Sequence, residues 1–171
     1  VSNAGIIAGR DYLLAIDALQ GPVPARGLIA AAKKATGKDV ARLVLTHHHG
    51  DHVNGNQFFT QAEILSHPYC RSEVLKAIPN TPKMWMPTPG VAEMAEERRL
   101  VPPTVTFKDD LVYDIGGTEG QVPCVGPAPP WGAAARSRPG SVAGAWVFAW
   151  AGGRTFPPPP PPVLGMDDTA S

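Results

Sequence analysis

Val40-Ala41-Arg42-Leu43-Val44-Leu45-Thr46-His47-His48-His49-Gly50-Asp51-His52 decides how this chain reads. Residues 40–45 are β-rich, whereas the polar run from His47 to Asn56 can only be a loop or a helix entry. A strand that empties into a polar loop is a layout that often carries a site. Working upstream, residues 6–8 and 12–16 are short apolar runs on either side of Gly9-Arg10-Asp11. They predict a buried hairpin whose turn uses positive φ at Gly9. The second run ends at Asp17, and Gly21, Pro22 and Pro24 close that region. Leu28, Ile29, Ala32 and Ala35 then fall at helical spacing, so residues 25–36 predict an amphipathic helix stopped by Gly37.

Downstream, residues 62–66 predict a strand and 69–78 a short helix. Residues 79–89 hold four prolines and Trp85 and read as irregular, and 91–100 read as an exposed helix rich in Glu and Arg. Residues 104–107 and 111–115 predict two strands joined at Lys108-Asp109-Asp110, with 121–125 one more. Beyond Gly126 only 142–150 reads as a strand, and the six prolines at 157–162 predict polyproline II. Strand, helix, strand, helix, then strands predicts an α/β or mixed fold with the sheet covered on at least one side.

Composition bounds the function. A chain of 171 residues that is 43% apolar is sized for one domain with a core. Lys+Arg 15 against Asp+Glu 15 leaves formal net charge zero, which disfavours a dedicated nucleic-acid or anionic-membrane binder. No run reaches the roughly 18 apolar residues of a membrane span, and the start lacks the features of a signal peptide. The expectation is a soluble, cytoplasmic protein acting on a small molecule. Two cysteines, Cys70 and Cys124, exclude a disulfide framework and a Cys-based zinc knot. Gly and Pro make up about 22% of the chain, against roughly 12% on average. The excess is uneven: residues 115–171 hold eleven of the twenty prolines and ten of the eighteen glycines.

Residues 47–52 place four imidazoles and a carboxylate within six positions, all good ligands for zinc and similar divalent ions. In an extended segment His47 and His49 point to one side and His48 to the other, while Gly50 lets Asp51 and His52 return from another direction. One metal at His47 and His49 and a second at Asp51 and His52, about 3.5–4 Å apart, is an arrangement that serves hydrolysis. The bland alternative is a polar His-rich turn or an adventitious metal site. The preceding strand and the interleaved Gly and Asp favour the metal site.

His47-x-His49-x-Asp51-His52 after a β-strand, continued as far as Gly55, resembles the metal-binding signature of metallo-β-lactamase fold hydrolases. Leu13-Leu14-Ala15-Ile16-Asp17 is similar to that family's first motif, a strand ending in Asp, and Asn3-Ala4-Gly5-Ile6-Ile7 to the strand opening of its hydroxyacylglutathione-hydrolase-like members. The resemblance covers residues 2–128. It implies an α+β fold, an αββα sandwich incomplete at both ends, with residues 1–128 as a partial domain and 129–171 as a divergent, poorly ordered segment. It also implies one or two zinc ions and attack by a metal-bound hydroxide on an ester, thioester or amide-like bond. Carried over, His47, His49, Asp51 and His52 are metal ligands, Asp51 is also catalytic, and Asp17 supports them from behind.

The chain departs from that pattern further on. Where the family has a later His ligand, this chain has Gly126-Pro127-Ala128-Pro129-Pro130, with Pro129 at the ligand's place. Where it has a bridging Asp, this chain has Phe148-Ala149-Trp150-Ala151-Gly152-Gly153, without an acid. With the abrupt start at Val1 and the compositional change after 117–130, the expectation is a fragment whose reading frame shifts there, with weak metal retention and little turnover. The alternatives are a non-catalytic homologue whose proline-rich end binds a partner, and a nuclease or phosphodiesterase on the same fold. His67 reads as a structural strand-end residue, Cys70 as a buried thiol, and Asn54 and Asn56 as turn residues or ligand-orienting groups. Met84, Trp85 and Met86 read as a satellite core cluster under a proline-rich loop.

Overall fold

The computed structural model describes residues 2–78, 99–116, 119–122, 136–137 and 145–146. The expectations for residues 79–98, 123–130 and 147–171 lie outside the described residues. Strands β1 (Gly5–Ala8) and β2 (Leu13–Ile16) form the expected antiparallel hairpin, with Ile7 opposite Leu14. Gly9 is required there for a different reason than positive φ: a Cβ at this position would run into the backbone carbonyl of Ile115.

From β2 the chain passes through helix α1 (Pro22–Thr36) to β3 (Val40–Val44), then through α2 (Gly50–Val53) and a 3-10 turn (Asn56–Phe58) to β4 (Glu63–Ser66). Helix α3 (Pro68–Ala77) follows, and β5 (Val105–Thr106) closes that edge. The strands β2, β3, β4 and β5 run parallel, and the sheet order is β5-β4-β3-β2-β1-β9, with β9 (Ala145–Trp146) antiparallel to β1. A second sheet, β6-β7-β8, is antiparallel and comprises Leu111–Asp114, Glu119–Val122 and Arg136–Ser137. The predicted strands at 104–107 and 111–115 therefore both exist but enter different sheets. The short strand β8 lies in a stretch where the sequence predicts none.

Burial on both faces explains why β2, and β3 apart from Arg42, are built of apolar residues. Ile6, Leu13, Ala15, Leu43, Leu45 and Ile64 face α1, α3 and Val53, meeting Ala25, Leu28, Ala32, Cys70 and Val74 in one core. Ile7, Leu14, Val44 and Leu65 face the other way and meet Ile115 and Val122 of the second sheet. The described residues thus form a helical layer, a mixed sheet and a second sheet.

Helix α1 begins three residues earlier than its spacing predicts, because Pro22 occupies the first turn, where its missing N–H costs nothing. It ends as expected: Gly37 sits at φ 72° and returns its N–H to the Lys33 carbonyl at 2.8 Å, while Lys33 and Lys34 complement the helix dipole. Its buried seam is Pro22, Ala25, Leu28 and Ala32, with Ala35 left exposed on the flank. No helix among the described residues is long and apolar enough to cross a membrane.

Candidate functional site

Parallel pairing sets the C-terminal ends of β2, β3 and β4 side by side, and the segments leaving them carry Asp17, Thr46–His52 and His67. This is the end of a parallel sheet where ligands usually bind. The N-terminal end of β1, antiparallel to β2, brings Ser2, Asn3 and Ala4 to the same place. An open pocket of about 490 Å³ lies there, lined by Ser2, Asn3, Ile16, Asp17, Thr46 and His52 among others.

Asp17 organises the site. Its backbone takes φ 61°, a left-handed conformation that Asp tolerates better than most residues, and its N–H bonds the Val44 carbonyl at 2.9 Å. The carboxylate, 3% exposed as a residue, is turned under the loop after β3. Oδ1 accepts the Thr46 backbone N–H at 2.7 Å, and Oδ2 accepts the Thr46 hydroxyl at 2.7 Å and meets His52 Nδ1 at 2.7 Å. A carboxylate only accepts, so His52 carries a proton on Nδ1 and, in its neutral form, presents the lone pair of Nε2. That Nε2 lies 3.6 Å from Asp51 Oδ2.

The proton constraint reaches His47 as well. The Thr46 hydroxyl has one proton and spends it on Asp17, so toward His47 Nδ1, 3.0 Å away, it must accept. His47 therefore also holds its proton on Nδ1 and offers Nε2. One buried carboxylate fixes the tautomers of two imidazoles, directly at His52 and through Thr46 at His47.

The imidazoles are brought together. Ring centroids of His47 and His52 are 4.1 Å apart and those of His47 and His49 4.6 Å, while His48 lies 6.4 Å from His47 and meets the rings of His49 at 4.9 Å and Tyr69 at 5.8 Å edge-on. Among the described residues, no three His, Cys, Asp or Glu side chains form a complete metal-holding group. Burial, with the neighbouring His52, lowers the pKa of His47, and burial with His49 lowers that of His48. Burial also works against charge on His52, but the hydrogen bond and charge of Asp17 and the charge of Asp51 outweigh it, so its pKa is raised.

A four-residue helix cannot hold itself, and α2 is tethered from outside. The Ala18 N–H bonds the His52 carbonyl at 2.7 Å, the Gly55 N–H bonds the Leu19 carbonyl at 3.1 Å, and the Ser2 hydroxyl donates to the Asp51 carbonyl. Gly55 is needed for close approach: a Cβ there would enter the Ala18 carbonyl and come within 2.7 Å of the Ala25 Cβ.

The other candidates resolve structurally. His67 caps α3, its Nδ1 accepting the Tyr69 N–H at 3.1 Å. Cys70 is buried in the core, which pushes its thiol up to about 12 and removes it as a nucleophile. Asn56 donates to the Val101 carbonyl at 2.8 Å, and Asn54 is buried at the C-terminal end of α2, its backbone N–H bonded to the Gly50 carbonyl. Sequence reasoning missed Ser2 and Tyr69, which carry no local signal because both act through contacts distant in the chain.

A sequence model of the metallo-beta-lactamase superfamily matches residues 1–137. The chain belongs to the metallo-beta-lactamase superfamily. Solved structures of that superfamily share the fold. They include a metallo-beta-lactamase from Pontibacter korlensis (21% identity, TM-score 0.51, covering 69% of this chain and 46% of that one). MEM-A1, a subclass B3 enzyme from a soil metagenome library, is 18% identical with TM-score 0.56 over 85% of this chain and 55% of its own. FEZ-1 from Legionella gormanii is 18% identical with TM-score 0.51 over 71% of this chain and 45% of its own. The chain thus spans about half the length of these superfamily structures. Comparison with curated protein sequences returns no match.

Proposed function

We propose that the chain is a zinc-dependent hydrolase acting on an ester, thioester or amide-like bond of a small-molecule substrate, with slow turnover in its 171-residue form. The observation that carries this reading is the contact behind the loop that ends β3: Asp17 engages Nδ1 of His52 directly and Nδ1 of His47 through Thr46, which leaves Nε2 of each ring as the ligating nitrogen. Imidazole nitrogen held from behind by a carboxylate is the donor that metal sites use, so the donor set suits a divalent ion in its chemistry. His47, His49, Asp51 and His52 would hold one or two zinc ions. Bound there, zinc supplies Lewis-acid polarisation of the scissile group and activation of water.

The chain's own residues do the rest. Asp17 keeps both imidazoles in the ligating tautomer and orientation. Lowered pKa at His47 keeps that ring neutral at pH 7, as a ligand must be. Asp51 presents its carboxylate beside the ring cluster and there accepts a hydrogen bond from the attacking water. The pocket between β1 and His52 receives the substrate. Slow turnover follows from the sequence at Pro129 and at 148–153, which supplies neither a His nor an acid to complete the ligand set.

The test is hydrolysis of simple thioester, ester and lactam substrates by metal-free protein, with zinc added back, alongside His47→Ala. A slow, zinc-dependent rate lost in the variant is expected. A rate that survives chelation, or none that depends on zinc, contradicts the proposal.

A further inference from the structure

Ser2 does more than lead into the first strand. It is buried at 8% exposure and faces the pocket. Its hydroxyl donates to the backbone carbonyl of Asp51, a residue 49 positions away, in the first turn of α2. The tether adds to the bonds that hold α2 from its own turn and from Ala18. Intrahelical and capping bonds reach the carbonyls of His49 and Gly50, from His52 and Val53 and from Asn54, and Ala18 holds the His52 carbonyl. Ser2 supplies the contact to the Asp51 carbonyl.

We propose that Ser2 is a positioning residue for Asp51, fixing through its backbone where the carboxylate stands relative to His52. The inference rests on the metal-centre reading above and extends it to a residue outside the histidine loop. Asp17 orients the imidazoles from beneath, and Ser2 orients the carboxylate from the β1 side. Losing the hydroxyl frees the first turn of α2 to rotate, and the Asp51 oxygen moves away from Nε2 of His52. Side chains that act behind a ligand typically change metal affinity by about 10- to 100-fold, and an effect near the lower end is expected here because one backbone tether is lost and the others remain.

The experiment compares wild type, Ser2→Ala and Ser2→Thr in three measurements: Co²⁺ affinity by competition with a chromogenic chelator, the visible d–d spectrum of the Co²⁺ form, and the melting temperature of the metal-free protein. The expected result is about tenfold weaker Co²⁺ binding in S2A with an altered d–d spectrum, a metal-free melting temperature close to wild type, and recovery in S2T. Unchanged affinity and spectrum in S2A overturn the proposal. So does a loss of affinity matched by a lowered metal-free melting temperature with an unaltered spectrum, which marks Ser2 as merely structural. If S2T melts below S2A, the added methyl has disturbed the buried site, and S2A against wild type decides alone. Wild-type protein that binds no Co²⁺ overturns the metal-centre reading, and this inference with it.

Discussion

Replacing Asp17 by Asn keeps the size of the side chain and inverts two of its three hydrogen bonds. In the wild type the carboxylate receives three donors, the Thr46 N–H, the Thr46 hydroxyl and His52 Nδ1–H, each at 2.7 Å. An amide can still accept the backbone N–H through its oxygen, but its NH₂ then faces His52 Nδ1 and the Thr46 hydroxyl. His52 must respond by moving its proton to Nε2, the nitrogen a metal needs, and Thr46 must turn its own proton toward His47 Nδ1. Both rings are driven into the wrong tautomer. Metal affinity should therefore fall by about 100-fold, or about 2.7 kcal/mol. Breaking a buried pair that retains one polar partner costs about 3–5 kcal/mol, and the partial exposure of His52 (18% for its side chain) places the loss of metal-free stability near the lower figure. The pH dependence changes as well. His52 has a folded pKa raised above its unfolded value near 6.5, so its pairing with Asp17 contributes fully below that value and is lost as pH rises through the folded pKa. The assay is urea unfolding of metal-free wild type and Asp17→Asn from pH 5.5 to 8.5, with zinc affinity by chelator competition at pH 7.5. Equal zinc affinity, or a His52 contribution that survives the substitution, refutes the reasoning.

Other expectations follow from the packing and the loop geometry. Leu43→Ala, fully buried between the sheet and its helices, should lose about 3–5 kcal/mol in urea unfolding. Gly55→Ala should cost about 2 kcal/mol or more, because the added methyl meets the Ala18 backbone as well as the Ala25 side chain, and it should weaken zinc binding by displacing α2. The Cys70 thiol, pushed up to about 12 by burial, should resist iodoacetamide at pH 8 in folded protein and react once urea is added, as read by mass on peptides containing Cys70.

Much of the architecture is legible in the sequence because it is local. The hairpin, α1 with its Gly37 stop, and β3 ending before a polar loop each follow from apolar periodicity and from glycine and proline placement. The His47–His52 cluster is legible by spacing and Asp17 through its resemblance to the family's first motif, and their strands prove adjacent and parallel. What spacing cannot express is contact across the sheet. The role of Thr46 as a relay between Asp17 and His47, the anchoring of α2 by Ser2 and the packing of His48 on Tyr69 all depend on where distant strand ends meet. Gly9 shows the same limit: its turn signal is readable, while the reason only glycine fits is the Ile115 carbonyl, which arrives from the second sheet. Partition of β5 and β6 between two sheets was equally hidden, since three residues at 108–110 suit a hairpin as well as a crossing.

The central claim is that His47, His49, Asp51 and His52, organised by Asp17, hold a metal. It is tested most directly by zinc stoichiometry, measured by elemental analysis after equilibrium dialysis of intact, mass-verified wild type beside His47→Ala/His52→Ala. The wild-type chain is expected to hold about one to two zinc ions, and the double variant almost none. Zinc absent from the wild type, or bound equally by both proteins, would contradict it.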